Sequence, residues 1–237
     1  MTTTFHPAAE RGQANFGWLD SKHSFSFGHW YNPEKIHFGA LRVLNDDIVK
    51  AGAGFGTHPH DNMEIISIPL NGALAHKDST GTDGIIETGD VQVMSAGSGI
   101  QHSEYNASKT DLVNFLQIWI FPNEKNIAPR YDQRRYNEAD RLNRWQWVVS
   151  GDGSDNSLVI HQDARMALSK IEKGHTLPFN LKSDKHGVYI FVIEGELEIN
   201  GQVLSKRDAL GISDVAAVSV KANSDAQVLA IEVPMSL

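Results

Sequence analysis

The sequence predicts an all-β protein, a sandwich or barrel made of two units of one type. Three observations point there. Turn residues recur every ten or so positions with short apolar or alternating runs between them, the spacing of many short strands. A short repeat recurs: "NGAL" (71–74) and "EGEL" (194–197) each follow a strand-like run, and "GDVQVM" (89–94) and "RDALGI" (207–212) each come after the next stretch. Gly72 and Asp90 are 18 apart and Gly195 and Asp208 are 13 apart, so the second unit reads as a trimmed copy of the first. Helical periodicity is thin, with 137–147 the best short candidate and a second near 167–174.

The strand candidates follow in order. The stretch 15–33, "NFGWLDSKHSFSFGHWYNP", is densely aromatic, and its alternation at 23, 25 and 27 reads as a strand. Its aromatics are expected in the core and between the units. Further strands are expected in "GALRVLND" (39–46), "EIISIPL" (64–70), "GDVQVMSAG" (89–97) and "LVNFLQIWIFP" (112–122). The second unit offers "SLVIHQD" (157–163), "GVYIFVIEGELEINGQVL" (187–204) and "AQVLAIEVP" (226–234). Between them the polar, arginine-rich stretch 123–145 has the composition of a connection.

Composition narrows the function classes. The 237 residues are 41% hydrophobic and 21% charged, values of an ordinary globular chain with ample core. A formal charge of −8 argues against a nucleic-acid surface, whose affinity comes from cationic side chains on phosphates. The basic "RYDQRRY" (130–136) is a local exception, expected as a solvated face. Without cysteine there is no disulfide, thiolate ligand or cysteine nucleophile. The start "MTTTFHPAAERGQ" lacks the apolar core of a secretory signal, and no run approaches membrane-spanning length. A cytoplasmic protein is expected.

The chemistry lies in two short ladders. In "THPH", side-chain alternation puts His58 and His60 on one strand face, with Pro59 holding the backbone between them on an edge, a bulge or a strand start. In "GIQHSEYN" (99–106) the same alternation pairs His102 with Glu104 after the Gly-rich turn "SAGSG". Three neutral imidazoles and a carboxylate aimed at one point match a mononuclear metal site with open positions, close to the two-His, one-carboxylate triad of non-haem iron. Glu64 is a rival carboxylate: four residues after His60, it shares that face if the strand continues unbroken. Spacing leaves Glu64 and Glu104 both open, one as ligand and the other as base or support. His6, His29, His37, His76, His175 and His186 have no partner at ligand spacing, and His161 reads as a structural histidine on a strand.

At these residues the chain resembles the cupin superfamily, whose first motif reads G-x5-H-x-H-x3,4-E-x6-G. Gly52, His58, His60 and Glu64 fit it, with Gly72 one position late. Gly89, Gly97, His102 and Asn106 fit the second motif in order, with Ser95 where proline is expected and two extra residues before His102. "FGTHPHDNMEI", "MSAGSGIQHSE", "WLDSKHSFSF", "QIWI" (117–120) and "PRYDQRRY" (129–136) together look like the pirin family across nearly the whole chain.

That resemblance implies a bicupin of two stacked jelly-roll barrels with few short helices. The expected division is a metal-binding domain at 1–125, a linker at 126–145 and a degenerate domain without ligands at 146–237. It implies His58, His60, His102 and Glu104 as the ligands of one divalent metal, Fe(II) first, with Mn, Ni, Co, Cu and Zn as alternatives. By the repeat offsets, the ligand positions map in the second unit near Leu181, Ser183, Val220 and Ala222, none a metal ligand. The implied activity is a quercetin 2,3-dioxygenase-like opening of a flavonol by dioxygen with loss of carbon monoxide. Glu104 or Glu64 would accept the hydroxyl proton. The rival expectations are a metal-dependent regulator of a transcription factor or metabolic enzyme, and a metabolite-binding cupin with a structural metal. A monomer is expected, since two barrels already cover each other's faces.

Overall fold

The computed structural model describes residues 1–236. The first twelve strands are β1 (Thr2–His6), β2 (Gly12–Asn15), β3 (Leu19–His23), β4 (Leu41–Val49), β5 (Gly54–His60), β6 (Glu64–Asn71), β7 (Ala73–Asp78), β8 (Asp83–Glu87), β9 (Asp90–Ser95), β10 (Ile100–Asn106), β11 (Val113–Ile120) and β12 (Arg130–Arg135). The rest are β13 (Gln146–Ser150), β14 (Leu158–Val159), β15 (Arg165–Ile171), β16 (Thr176–Asn180), β17 (His186–Glu194), β18 (Leu197–Ile199), β19 (Gln202–Leu204), β20 (Ala209–Ser213), β21 (Ala217–Ala222) and β22 (Ala226–Pro234). Helix among the described residues is limited to the 3₁₀ turns Ala8–Glu10, Glu138–Arg141 and Ser154–Asn156. Among the described residues no helix is long and apolar enough to cross a membrane.

Two units of one design result. Each packs a seven-stranded sheet against a four-stranded one. The first unit uses the orders β12-β9-β6-β11-β4-β3-β2 and β5-β10-β7-β8, and the second β1-β20-β17-β22-β15-β13-β14 and β16-β21-β18-β19. The two large sheets face each other across a shared core in which Leu44, Ile66 and Ile118 meet Met166, Tyr189 and Ile231. Strands of these sheets are therefore covered on both faces and read as nearly continuous apolar runs, as in "EIISIPL". β10 lies in an outer sheet and keeps strict alternation.

Several expectations change in the structure. Within 137–147 only Glu138–Arg141 is helical, its first turn capped by Asn137. The segment 167–174 lies largely in β15, which pairs with β13 and β22, so sheet burial overrides its weak helical pattern. β3 ends at His23, and Phe25 continues outside any strand, packed against Tyr189 of the second unit with ring centroids 5.4 Å apart. The start of the chain crosses over: β1 pairs with β20 in the second unit. The expected linker contains β12, which pairs with β9 in the first unit. Its arginines are engaged within the chain: Arg130 Nη1 donates to Val159 O at 2.7 Å, Arg134 bonds Asn156, and Arg135 pairs with Glu87 at 2.9 Å. His161 lies in a bend after β14 rather than on a strand.

The interiors of the two barrels differ. In the second, a continuous core that includes Ile171, Phe179, Val188, Ile190 and Val220 fills the space. In the first, two separate apolar clusters, one around Leu19, Leu74 and Phe115 and one around Ile65, Met94 and Ile100, leave a polar middle. That middle is where the histidines meet.

Candidate metal centre

β5 is the edge strand of its sheet, so Pro59 costs no ladder bond there. β5 pairs with β10 in a register that sets His58 opposite His102 and His60 opposite Ile100. An irregularity then follows, with Glu104 opposite Phe55, so β5 carries one residue more than β10 at this point. The strands run close at their far end, where a Cβ on Gly54 would collide with Glu104 O and Tyr105 Cα.

The result brings three imidazoles to one point. The ligand atoms of His58, His60 and His102 all lie within 4.8 Å of one another, and His60 Nε2 is 3.1 Å from His102 Nε2. His58 Nδ1 lies 2.8 Å from Gly56 O. Donating there, it leaves its Nε2 lone pair free for a metal. The His60 ring stands edge-on to Trp119 at 5.0 Å, which holds its orientation. Burial, with help from His58 and its neighbours, lowers the His60 pKa to about 4 and the His102 pKa to about 2, so both rings are neutral ligands at pH 7.

Glu104 completes the polar floor. It is 2% exposed, and its Oε2 accepts from Gln117 Nε2 at 2.8 Å. The Ser67 hydroxyl lies 3.1 Å from both Glu104 Oε1 and Gln117 Oε1, and can donate to only one of them at a time. Burial pushes the Glu104 pKa up to about 7 against the pull of the Ser67 and Gln117 hydrogen bonds.

Glu64 sits elsewhere. The chain breaks strand between β5 and β6, with Asn62 at a φ of 45°, so the parity assumed from His60 is lost. On β6, Glu64 shares its face with Ile66 and Ile68, which pack between the units. It accepts from Ser95 Oγ at 2.7 Å, and burial raises its pKa.

Spacing along the chain does not reveal His76. Register places it directly opposite Glu104, across β7 and β10, and its ligand atom lies within 4.8 Å of those of His102 and Glu104. Its Nε2 is 3.0 Å from Asp78 Oδ2, and Thr80 in turn bonds Asp78. Asp78 is two residues along the chain, but His102 and Glu104 reach His76 only across the sheet, so no local motif could show that grouping. The register also refines the repeat. Leu74 pairs with Asn106 and Leu197 with Ala222, so Val218 and Val220 stand where His102 and Glu104 do, and Phe179, opposite Val218, stands where His58 does. All three are buried in the core of the second barrel.

A cavity of about 270 Å³ opens from the histidines between the two sheets of the first unit. His58, His60 and Glu104 lie along it, with Phe16, Phe27, Trp30, Phe55 and Trp119 as aromatic wall; Glu64 does not line it. The aromatics of 15–33 therefore divide: Phe25 packs between the units, while Phe16, Phe27 and Trp30 face the cavity.

The donor set fits a first-row divalent ion. Two nitrogens 3.1 Å apart match ligands at right angles on an ion with bonds of about 2.0–2.1 Å. Without an ion the same two nitrogens share one hydrogen bond, one ring donating to the other. The buried Glu104 carboxyl beside His102, with no cationic side chain bonded to it among the described residues, would supply compensating negative charge.

Known proteins share this architecture. Residues 4–120 match the Pirin family, and residues 147–233 match the Quercetinase C-terminal cupin domain. The chain is 45% identical over 227 residues to a quercetin 2,3-dioxygenase of Escherichia coli strain K12, covering 96% of each. It is 39% identical over 227 residues to a pirin-like protein of Caulobacter vibrioides, covering 95% of this chain and 97% of the other. Its fold superposes on the crystal structure of the bacterial pirin YhhW from Escherichia coli in complex with nickel(II), with a TM-score of 0.93 at 43% identity, covering 98% of this chain and 99% of that one.

Proposed function

The chain belongs to the pirin family, and from that premise we propose that it is a metal-dependent dioxygenase that opens the heterocycle of a flavonol and releases carbon monoxide. One observation carries the reading: an aromatic-walled cavity opens onto His58 and His60, which converge with His102, and His102 in turn lies beside the buried carboxyl of Glu104. His58, His60, His102 and Glu104 would hold one divalent ion, iron(II) in this reading. Bound there, the ion supplies Lewis-acid activation of the flavonol 3-hydroxyl and one-electron chemistry toward dioxygen.

The chain's own residues do the remaining work. Phe27, Phe55 and Trp119 hold the flat ring system and keep water from it. Glu104, a buried carboxyl on the cavity floor, is placed to take the 3-hydroxyl proton. Gln117 and Ser67 hold that carboxyl in place and adjust their hydrogen bonds as it gains or loses the proton. Glu64, bonded to Ser95 on the opposite face of the sheet, takes no part. Both atoms of dioxygen enter the opened product, and one ring carbon leaves as carbon monoxide.

The test is aerobic incubation with quercetin of protein loaded in turn with Fe, Mn, Ni, Co, Cu and Zn. Loss of the flavonol absorption band with carbon monoxide in the headspace is expected with iron. No loss with any of the ions overturns the proposal.

A further inference from the structure

His76 is not among the four residues assigned to the ion, yet it is placed as a ligand. On the inner face of the first unit's small sheet, register sets His76 opposite Glu104 and Asp78 opposite His102. The ligand atoms of His76, His102 and Glu104 lie within 4.8 Å of one another, a grouping that shares only His102 with the trio of His58, His60 and His102. His76 is 1% exposed, and its Nδ1 has no hydrogen-bond partner among the described residues.

Two contacts fix the ring. Its Nε2 lies 3.0 Å from Asp78 Oδ2, and Tyr131 packs against it with ring centroids 4.7 Å apart. Asp78 is held in turn: the Thr80 backbone N–H and hydroxyl donate to its other oxygen at 2.8 and 2.6 Å. A carboxylate that accepts from one imidazole nitrogen fixes the tautomer and leaves the lone pair of the other nitrogen for a metal.

The two groupings differ in chemistry. The outer one is three imidazoles, two of which, His58 and His60, line the cavity. The inner one includes the Glu104 carboxylate and has Asp78 behind His76, so two negative charges face a divalent ion. Manganese(II) favours carboxylate oxygen, whereas nickel(II) suits imidazole. Glu104 lines the cavity and His76 lies behind it, so an ion that meets Glu104 there can bond His76 without room for a larger guest.

We propose that His76, His102 and Glu104 form a second, inner metal position for an oxygen-preferring divalent ion such as manganese(II), while nickel(II) stays with the imidazoles of His58, His60 and His102. His102 belongs to both groupings, so the chain holds one of these ions at a time. The inference goes beyond the flavonol reading and does not depend on it.

The test uses the metal-free full chain. Manganese binding is read from loss of the electron paramagnetic resonance signal of the free ion. Nickel binding is read from tryptophan fluorescence, Trp119 lying against His60. His76→Ala should weaken manganese at least about tenfold and leave nickel within about twofold, and His58→Ala should do the reverse. Nickel should displace manganese from the wild type and return the free-ion signal. Melting temperature identifies a variant that has lost its fold, in which case the other variant decides. A wild type that binds no manganese, or one that holds both ions together, overturns the proposal. So does unchanged manganese affinity in folded His76→Ala, or loss of both ions alike in folded His58→Ala.

Discussion

Replacing Glu104 by glutamine in the metal-free protein should make the fold more stable at pH 8 and less stable, by about 1 kcal/mol, at pH 4. Glu104 is buried without a cationic side chain, and its pKa rises from 4.5 to about 7. The folded state keeps the proton at pH values where the unfolded chain has released it. Stability from this group is therefore present below about 4.5 and is lost as pH climbs through about 7. Each pH unit of displacement is worth about 1.4 kcal/mol, so keeping the carboxylate ionised at pH 8 costs the fold about 3 kcal/mol. Glutamine preserves the volume but rearranges the bonds to Ser67 and Gln117, at a cost of about 1 kcal/mol. The net gain is about 2 kcal/mol, or roughly 4–8 °C in Tm for a chain of this size. Asp47, also pushed up to about 7, chiefly by burial and in part by the Glu104 charge, is relieved when that charge is removed, so its contribution adds to the gain at high pH. Thermal unfolding followed by circular dichroism in chelator, from pH 4 to 8, checks this. Equal melting temperatures at pH 8, or a loss of the same size at every pH, would refute the account of Glu104 as a buried carboxyl awaiting a cation. With nickel added the order should reverse, because the variant lacks the negative charge that compensates the ion.

The other expectations concern the parts around it. His102→Ala should abolish stoichiometric metal binding, read by elemental analysis, because His102 is the side chain shared by both ligand groupings. Glu64→Gln should leave metal content unchanged, since that side chain faces the second unit; loss of the ion would contradict its placement. Phe179→Ala should cost about 3–5 kcal/mol in denaturant unfolding while nickel binding in the first barrel persists in the folded protein. Gly97→Val should destabilise the turn before β10, because Gly97 has a φ of 50° and a Cβ there would strike Ile127 O; a lowered Tm together with weakened metal binding is the expected result.

The alternation of His58 with His60 and of His102 with Glu104 is readable because a strand's period of two is local: residues i and i+2 share a face whatever the rest of the chain does. Turn spacing is legible for the same reason, and it points to two β units. The helix expected near 167–174 does not form because pairing on both sides of β15 decides its conformation, and that pairing involves residues far away in the chain. Parity misleads where a strand breaks, between His60 and Glu64 and again after His23.

What the sequence determined by itself is the set of short-range geometries: strand faces, turn positions and the two histidine ladders. Only the tertiary structure could set His76 opposite Glu104 and turn Glu64 toward the other unit. The physical reason is that cross-strand register joins residues through hydrogen bonds between distant segments, and the choice of partner strand depends on burying whole sheet faces at once.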